Sequence, residues 1–164
     1  MAPSHTGRVH RYAITVTWTG NDGDGTATYR SYRRDHDVAA AGRPTILGSS
    51  DPHFRGDATR WNPEQLLMAA LAQCHLLWYL HLCADAGVTV VEYRDEAEGT
   101  MILGSDGGGQ FSSAVLRPHV TVGAPEMVER ALALHHEVPA LCFIARSVNF
   151  PVSHEPTVVV GEPR

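Results

Sequence analysis

WNPEQLLMAALAQCHLLWYLHLCADAG, residues 61–87, is the longest apolar stretch of the chain and predicts one helix over residues 62–86. Asn62 is a favourable N-cap residue, and Gln65 stands three positions later, as in a capping box. Gly87 suits the end of the helix, because glycine readily takes the left-handed conformation found after many helix C-termini. The stretch therefore carries signals for both ends of a helix.

Apolar residues cover most of the circumference of this predicted helix. The residues at three- and four-residue spacing are Leu66, Leu67, Ala70, Leu71, Cys74, Leu77, Trp78, His81 and Leu82. A helix that is apolar nearly all round either crosses a membrane or is enclosed by partners on several sides. Because it carries His75 and Asp85 and is capped at both ends, we expect no membrane span. We expect the core helix of a soluble protein, with a second subunit on one side.

The composition limits the possible functions. The chain has 164 residues and a formal net charge of −5, so it is long enough for one domain with a substantial core. It has no basic cluster that would follow a nucleic-acid backbone, so we predict no nucleic-acid partner. An N-terminus without an apolar segment and an odd count of three cysteines favour a reducing cytoplasm over secretion.

The remaining pattern predicts an α+β fold with antiparallel sheets packed around the long central helix. Alternating residues from Tyr12 to Trp18, followed by a glycine-rich turn, predict a β-hairpin. Pro118, within a later strand pattern, predicts an edge strand or a bulge. The predicted elements of a single domain (1–164) are an N-terminal hairpin (10–34), a loop (35–61), the central helix (62–86), a hairpin (88–122), a helix (125–138), a cysteine-bearing segment (140–150) and a final strand (156–161).

Two of the three cysteines are candidates for chemistry. Cys74 lies in the middle of the predicted helix, and Cys142 lies in the apolar segment after Pro139. Cys83 follows Cys74 by nine residues, about 900° of helical rotation, so it points to the opposite side and is expected to be a core residue. A reactive thiol needs a cation or helix N-terminal amides to stabilise its thiolate, and Cys74 is well inside its helix. An arginine is therefore required, and a carboxylate would hold that arginine in place.

Arginines are concentrated in the segments before the helix. They are Arg30, Arg33, Arg34, Arg43, Arg55 and Arg60. The long polar loop that carries the last three is of a kind that is often functional in a compact domain. We expect most of these guanidinium groups to be solvated and one or two to have a specific partner.

The motif NPEQLLMAALAQC (62–74) and a second cysteine 68 positions later, in LCFIARSVNFPV (141–152), resemble the OsmC/Ohr family of thiol-dependent peroxidases. The resemblance extends from about Tyr12 to Val160. The segments SSDPHFRGD, CHLLWYLHLCADAG and CFIARSVNFPV are similar to an OsmC-like subgroup. The resemblance implies an OsmC-like α+β fold in an intertwined homodimer, with two active sites at the interface.

The resemblance also implies a chemistry. Cys74 would attack a hydroperoxide, Cys142 would resolve the resulting sulfenic acid as a disulfide, and Glu64 would orient an activating arginine. The activity would belong to oxidative stress defence, with an external thiol or dithiol as the reductant. We predict no cofactor and no metal, because the sequence has no HExxH, CxxC or HxH spacing.

The activating arginine is the point at which this chain departs from the family pattern. In the OsmC branch the arginine stands before the helix, one residue before Phe-x-Gly, and His53 occupies that place in HFRG (53–56). Alternation along an extended loop would direct Arg55 much as it directs position 53. We therefore predict that Arg55 activates Cys74, with Arg30 and Arg43 as further candidates. The alternative is that His53 acts as a base.

The spacing of Glu64 and Cys74 raises a geometric question. Ten residues of straight helix extend about 15 Å, whereas a guanidinium reaches only about 6–7 Å from its Cα. One arginine therefore cannot contact both side chains on a single uninterrupted helix. Either the helix is broken near its start, or Glu64 serves the site of a partner subunit, or Glu64 is a first-turn acid favoured by the helix dipole.

Apolar residues near the two cysteines predict a preference for organic hydroperoxides over hydrogen peroxide. Each buried methylene of an alkyl group contributes about 0.8 kcal/mol to binding. The predicted substrate-binding residues are Leu71, Trp78, Phe143, Phe150 and His53.

Three other functions stay open at this point. The chain could be a non-catalytic small-molecule-binding homodimer that has the same fold. Cys74 could perform acyl chemistry with His53, His75 or His136, although His75 follows it directly and points about 100° away. A Cys/His metal site is the third, and the sequence spacing does not support it.

Overall fold

The computed structural model describes residues 7–161, and the chain divides into two compact units. The N-terminal unit ends at Pro63, and the C-terminal unit begins at Glu64. This boundary puts the candidate arginines in the first unit and both candidate cysteines in the second.

The N-terminal unit is built on a three-stranded antiparallel sheet in the order β1-β2-β3. Its strands are β1 (Thr15–Trp18), β2 (His36–Ala39) and β3 (Ile46–Gly48). All four residues of β1 are exposed, including Val16 and Trp18. A single chain therefore leaves apolar side chains of this strand in contact with solvent.

The predicted N-terminal hairpin is present, but its second strand is β2, within the predicted loop, and not residues 26–34. The side chain of Ser31 accepts a hydrogen bond from Thr28 N at 3.0 Å and donates one to Gly25 O at 3.0 Å. Such local bonds between side chain and backbone compete with a strand ladder. They turn the segment TATYRSYRR, whose residue types favour a strand, into a series of turns.

A buried carboxylate organises the N-terminal unit. Asp35 is only 4% exposed and accepts a hydrogen bond from Ser49 Oγ at 3.2 Å. It forms ion pairs with Arg33 and with Arg60, whose Nε lies 3.8 Å away. Because an unpaired buried charge is costly, the ion pairs with these two arginines are needed to stabilise the Asp35 carboxylate.

Helix α1 (Pro63–Asp85) belongs, apart from its first residue, to the C-terminal unit, and the sequence predicts a helix over 62–86. Its buried residues recur every four positions, so they form one stripe along the helix. They are Leu71, His75, Tyr79 and Cys83. By length and composition alone, α1 is long and apolar enough to cross a membrane. The core helix of a soluble protein meets the same criteria. Gly87, with φ of 70°, takes the left-handed conformation just after the helix.

Two three-stranded sheets complete the C-terminal unit, in the orders β4-β7-β9 and β5-β6-β8. Their strands are β4 (Val90–Asp95), β5 (Glu98–Leu103), β6 (Gly109–Leu116), β7 (Pro118–Val122), β8 (Val152–His154) and β9 (Thr157–Val160). The antiparallel pairs β4–β7 and β5–β6 join the two arms of the predicted hairpin (88–122). However, β8 and β9 pair in parallel with β6 and β7, so the sheets are mixed and not purely antiparallel. The long connection after β7 allows this parallel return.

Pro118 is the first residue of β7, which is the middle strand of its sheet. The predicted edge strand is therefore wrong, and the register shift in the β4–β7 pair lies elsewhere, between Val90 and Glu92. Proline is tolerated at the first position of a strand, where its missing N–H costs little. The preceding Arg117 N–H bonds to the side chain of Asp95 at 2.8 Å, which fixes the bend between β6 and β7.

The connection from β7 to β8 is a series of short helical turns. It contains a 3₁₀ turn (Pro125–Met127), helix α2 (Val128–Leu134) and two further 3₁₀ turns (Val138–Ala140 and Ala145–Ser147). The α-helix is thus shorter than the predicted 125–138. It tightens at its end, where His135 N bonds to Leu132 O at 3.3 Å. Buried Leu134 and Val138 join Tyr79, Cys83 and Cys142 in one hydrophobic cluster.

Candidate active site

The structure brings the thiols of Cys74 and Cys142 together, although 68 residues separate them in the chain. Cys74 lies on α1, and Cys142 lies two residues after the end of the 3₁₀ turn Val138–Ala140. Its backbone N–H bonds to Val138 O at 2.9 Å, which anchors the cysteine to that turn. The two residues belong to the same packed region, and the Cys74 thiol is near enough to influence the pKa of the Cys142 thiol.

The two thiols differ in burial and in acidity. Cys142 is 2% exposed, whereas Cys74 is half-buried. Burial, and then the interaction with the Cys74 thiol, raises the pKa of the Cys142 thiol to about 11. Cys142 is therefore protonated at neutral pH, and Cys74 is the thiol that a dissolved reagent can reach.

The third cysteine, Cys83, is 1% exposed and lies in the hydrophobic cluster with Tyr79. Burial raises the pKa of its thiol. A buried, protonated thiol is a poor nucleophile. Cys83 is therefore a core residue, which agrees with its predicted role.

Glu64 lies in the first turn of α1, which runs without a break from Pro63 to Asp85. The first explanation for its spacing from Cys74, a break near the helix start, is therefore wrong. Ten residues of continuous helix separate the two Cα atoms by about 15 Å. Two explanations remain: Glu64 serves the site of a partner subunit, or it is an acid favoured by the helix dipole.

The segment that carries His53 and Arg55 is not extended. Pro52–Phe54 form a 3₁₀ turn, capped by Asp51, whose carboxylate accepts a hydrogen bond from His53 N at 2.7 Å. Arg55 follows in the left-handed conformation, with φ of 66°. The alternation assumed from the sequence is therefore wrong, and it gives no reason for positions 53 and 55 to point the same way. Both residues are exposed, and the guanidinium of Arg55 lies 6.0 Å from the centroid of the Tyr29 ring.

The other candidate arginines of the N-terminal unit fall into three groups. Arg33 and Arg60 are engaged by the buried carboxylate of this unit. The guanidinium of Arg34 lies over two tyrosine rings, at 4.3 and 4.1 Å from their centroids. Arg30 and Arg43 are exposed. Of the candidate arginines, Arg30, Arg43 and Arg55 are exposed and have no ion pair with an acidic side chain in the part of the chain that the structure describes.

The predicted substrate-binding residues of the C-terminal unit have different surroundings. Trp78 and Phe143 meet edge to face, with ring centroids 5.5 Å apart, and Phe143 is 65% exposed. They neighbour the two cysteines along the chain, one helical turn after Cys74 and one residue after Cys142. Phe150 packs against another phenylalanine ring at 5.5 Å. Leu71 has no exposed surface, so it contributes to the core and not to an open site.

Comparison with known proteins assigns the chain to a family. Residues 56–157 match the family model described as OsmC-like protein. The chain belongs to this family. It is also similar to the solved structure of an OsmC-like protein of unknown function from Vibrio cholerae, with 30% identity and a TM-score of 0.81, over 91% of this chain and 100% of that one.

Two solved structures of organic hydroperoxide resistance proteins share the OsmC-like fold at lower identity. The OsmC protein of Legionella pneumophila is 18% identical with a TM-score of 0.65, over 92% of this chain and 98% of its own. The OhrB protein of Bacillus subtilis is 19% identical with a TM-score of 0.60, over 89% of this chain and 98% of its own. No curated protein matches the chain. These two likenesses show the α+β fold of the OsmC-like family.

This OsmC-like chain also contains a buried histidine cluster that the sequence did not predict. His75 and His135 are 3% and 0% exposed, and His75 Nε2 lies 2.9 Å from His135 Nδ1. The ring of His154 lies 5.6 Å from that of His75, centroid to centroid. Burial lowers the pKa of His75 to about 4 and that of His135 to about 3. The cluster is therefore neutral at pH 7.

No sequence signal could have assembled these histidines. They lie on α1, just after α2 and at the end of β8, and the parallel return of β8 brings them together. Among residues 7–161, no group of three or more histidine, cysteine or acidic side chains is arranged to hold a metal ion. His75 bonds to another histidine, so it is not free to act as the base of a Cys–His acyl-transfer pair.

Proposed function

We propose that this chain is a thiol-dependent peroxidase that reduces organic hydroperoxides. The observation that carries the proposal is the contact between a half-buried thiol, Cys74, and a buried thiol, Cys142. Membership of the OsmC-like family supports it, since proteins of the same fold are named organic hydroperoxide resistance proteins.

The proposed reaction uses the two thiols in turn. The thiolate of Cys74 attacks the distal oxygen of the hydroperoxide, the O–O bond breaks, and the alkoxide takes up a proton and leaves as an alcohol. Cys74 is now a sulfenic acid. Cys142 condenses with it, which forms the disulfide and releases water. An external cytoplasmic thiol or dithiol then reduces the disulfide by exchange.

Cys74 needs a positive charge to ionise at neutral pH. We propose that an arginine of the N-terminal unit supplies it, with Arg55 as the first candidate and Arg30 and Arg43 as the others. The support is that these three residues are exposed and have no acidic partner among the described residues, whereas Arg33 and Arg60 form ion pairs with Asp35. His53 is the alternative, as a base.

We propose that the active form is a homodimer. The single chain leaves large apolar side chains exposed, and soluble proteins seldom leave contiguous apolar surface uncovered. The most exposed on α1 and β1 are Leu77 (66%), Val16 (58%) and Trp18 (42%). In a dimer, Glu64 could orient an arginine for the partner subunit's thiol, which would account for its separation from Cys74 in its own helix.

The disulfide is the direct test of the proposal. After one equivalent of cumene hydroperoxide, peptide mass spectrometry under non-reducing conditions is expected to find Cys74 linked to Cys142, with Cys83 still a free thiol. The reason is that the first two thiols are in contact and the third is buried elsewhere. Protein that consumes no hydroperoxide and keeps all three thiols would contradict the peroxidase and favour a non-catalytic binding protein.

The substrate preference gives a second expected result. The value of kcat/KM is expected to be at least about tenfold higher for cumene hydroperoxide than for hydrogen peroxide, because burial of a few carbons contributes about 1.5 kcal/mol or more. Phe143→Ala should lower the value for cumene hydroperoxide alone, since only that substrate has apolar surface to bury. Equal efficiency with both peroxides in a steady-state assay would remove the argument from apolar contacts.

A further inference from the structure

A small cavity lies beside Cys142 within the C-terminal unit. Its volume is about 10 Å³, which is close to the least that one water molecule requires. Most of its wall is apolar, and its polar residues are Cys142, Ser153, His75 and His154. Polar atoms form very little of the wall, so a single water in this cavity depends on hydrogen bonds to these few residues.

His154 has a buried ring nitrogen without a partner. Its Nε2 has no hydrogen-bond partner among the described residues. A buried nitrogen left in this state costs free energy, which one hydrogen bond to a water would recover. His154 and Cys142 both line the cavity, so a water in it would lie next to both residues.

The groups that face His154 keep it neutral. Its ring lies 5.6 Å from that of His75 on α1, and 6.3 and 5.2 Å from those of His135 and His136 after α2. Cys142 lines the same cavity as His154. Burial, followed by the nearby His136, lowers the pKa of His154. At neutral pH the ring therefore offers a lone pair and not a positive charge.

We propose that His154, acting through one water in this cavity, accepts the proton of Cys142 as that thiol closes the disulfide with Cys74. The inference rests on the proposed peroxidase function and assigns a proton acceptor to its second step. His136, which is exposed and whose ring lies 5.2 Å from that of His154, gives the proton a route to solvent.

The step balances in atoms and electrons. The sulfur of Cys142 attacks the sulfur of the Cys74 sulfenic acid, the S–S bond forms and the S–O bond breaks. The sulfenic sulfur is reduced and the thiol sulfur is oxidised. The thiol proton passes through the water to His154, and the departing hydroxide takes up a proton from solvent or from the imidazolium. The products are the disulfide and one water.

Cys142 requires a proton acceptor because its thiol must lose a proton before it attacks the Cys74 sulfur. With a pKa of about 11, only about one Cys142 side chain in 10⁴ is ionised at pH 7. Thiolates, not thiols, attack sulfur in exchange reactions. A positioned base typically accelerates a proton transfer of this kind by about 10²–10⁴-fold.

The test isolates the attack by Cys142 and uses no peroxide. A nitroaromatic disulfide reagent converts Cys74 to a mixed disulfide, and attack by Cys142 then releases the coloured aromatic thiolate, which stopped-flow absorbance follows from pH 5 to pH 10. The variants are His154→Gln, which keeps a hydrogen-bonding side chain but accepts no proton, and His10→Gln as an exposed control. His154→Ala with added imidazole is the second test, should the glutamine variant not fold.

The expected result is a release rate at pH 7 that is about 10²-fold lower in His154→Gln than in the wild type or His10→Gln. The wild-type rate should level off above the pKa of His154, whereas the variant rate should rise about tenfold per pH unit towards the pKa of Cys142. Imidazole should restore His154→Ala. Equal rates and equal pH profiles in the wild type and His154→Gln would overturn the inference, as would a wild-type mixed disulfide that never releases its thiolate.

This experiment separates the two proposals. If Cys142 attacks in the predicted pH-dependent way but hydroperoxides do not react, the peroxidase proposal fails and the role of His154 stands. If hydroperoxides produce the disulfide and His154→Gln closes it as fast as the wild type, only the role of His154 fails.

Discussion

Replacing Cys74 with serine is expected to abolish hydroperoxide consumption, with a loss of at least about 10³-fold in kcat/KM. A serine hydroxyl at this place has no base to activate it, and it is a far weaker nucleophile than a thiolate. The measurement is the loss of cumene hydroperoxide with excess dithiol, at equal concentrations of folded variant and wild type. The side chain is half-buried, so the substitution should leave the far-UV circular dichroism unchanged.

The other two cysteines give matched controls for this result. Cys83→Ser removes a buried thiol away from the proposed reaction, so it should keep the activity and lose only stability. Cys142→Ser should still react once with hydroperoxide and then accumulate the Cys74 sulfenic acid, which further oxidant converts to the sulfinic acid. A Cys74→Ser variant that is as active as the wild type would show that the contact of the two thiols does not serve peroxide reduction.

The helix and the cysteine pair show what the sequence could reveal. The helix boundaries follow from local signals, since Asn62 and Gly87 mark the ends of one continuous apolar pattern. The contact between Cys74 and Cys142 could not be derived from periodicity, because it depends on how the chain returns after β7. The family resemblance supplied that pairing, through the motif and the spacing of the second cysteine.

The wrong predictions for residues 26–34 and for Arg55 have local physical causes that cannot be read from the residue types alone. Residues 26–34 have strand composition, but the Ser31 hydroxyl satisfies nearby backbone groups and makes a turn. Arg55 was expected to follow alternation, but the Asp51 cap and the 3₁₀ turn after it put this residue in the left-handed region. In both places one short polar side chain decides the backbone.

The stability of the protein is expected to fall by about 4 kcal/mol between pH 7 and pH 5 because of the buried His75–His135 pair. Folding lowers the pKa of His75 to about 4 and that of His135 to about 3, from about 6.5 in the unfolded chain. Below pH 6.5 these two histidines bind protons in the unfolded chain but not in the folded chain. The free energy of unfolding therefore falls as pH falls. This contribution is fully present above pH 6.5, and the loss is complete only below the folded pKa values.

The measurement is the free energy of unfolding from urea titrations at pH 7, 6 and 5, at one fixed protein concentration because a dimer would add its own concentration dependence. The double variant His75→Gln and His135→Asn keeps an amide nitrogen near the place of each bonded ring nitrogen but cannot be protonated in this range. Its stability should change much less between pH 7 and pH 5. His81→Gln, an exposed change on the same helix, should keep the wild-type slope.

The size of the effect follows from how the pair is bonded. One nitrogen of each ring is used in the 2.9 Å hydrogen bond, and His135 Nε2 is buried without a partner in the described residues. A lone pair is less costly to bury unpaired than an N–H, so His135 Nδ1–H is the donor and His75 Nε2 the acceptor. A proton added to either ring would be a buried charge with no carboxylate to neutralise it. A wild type and a double variant with the same slope would show that the pair is hydrated or open in solution.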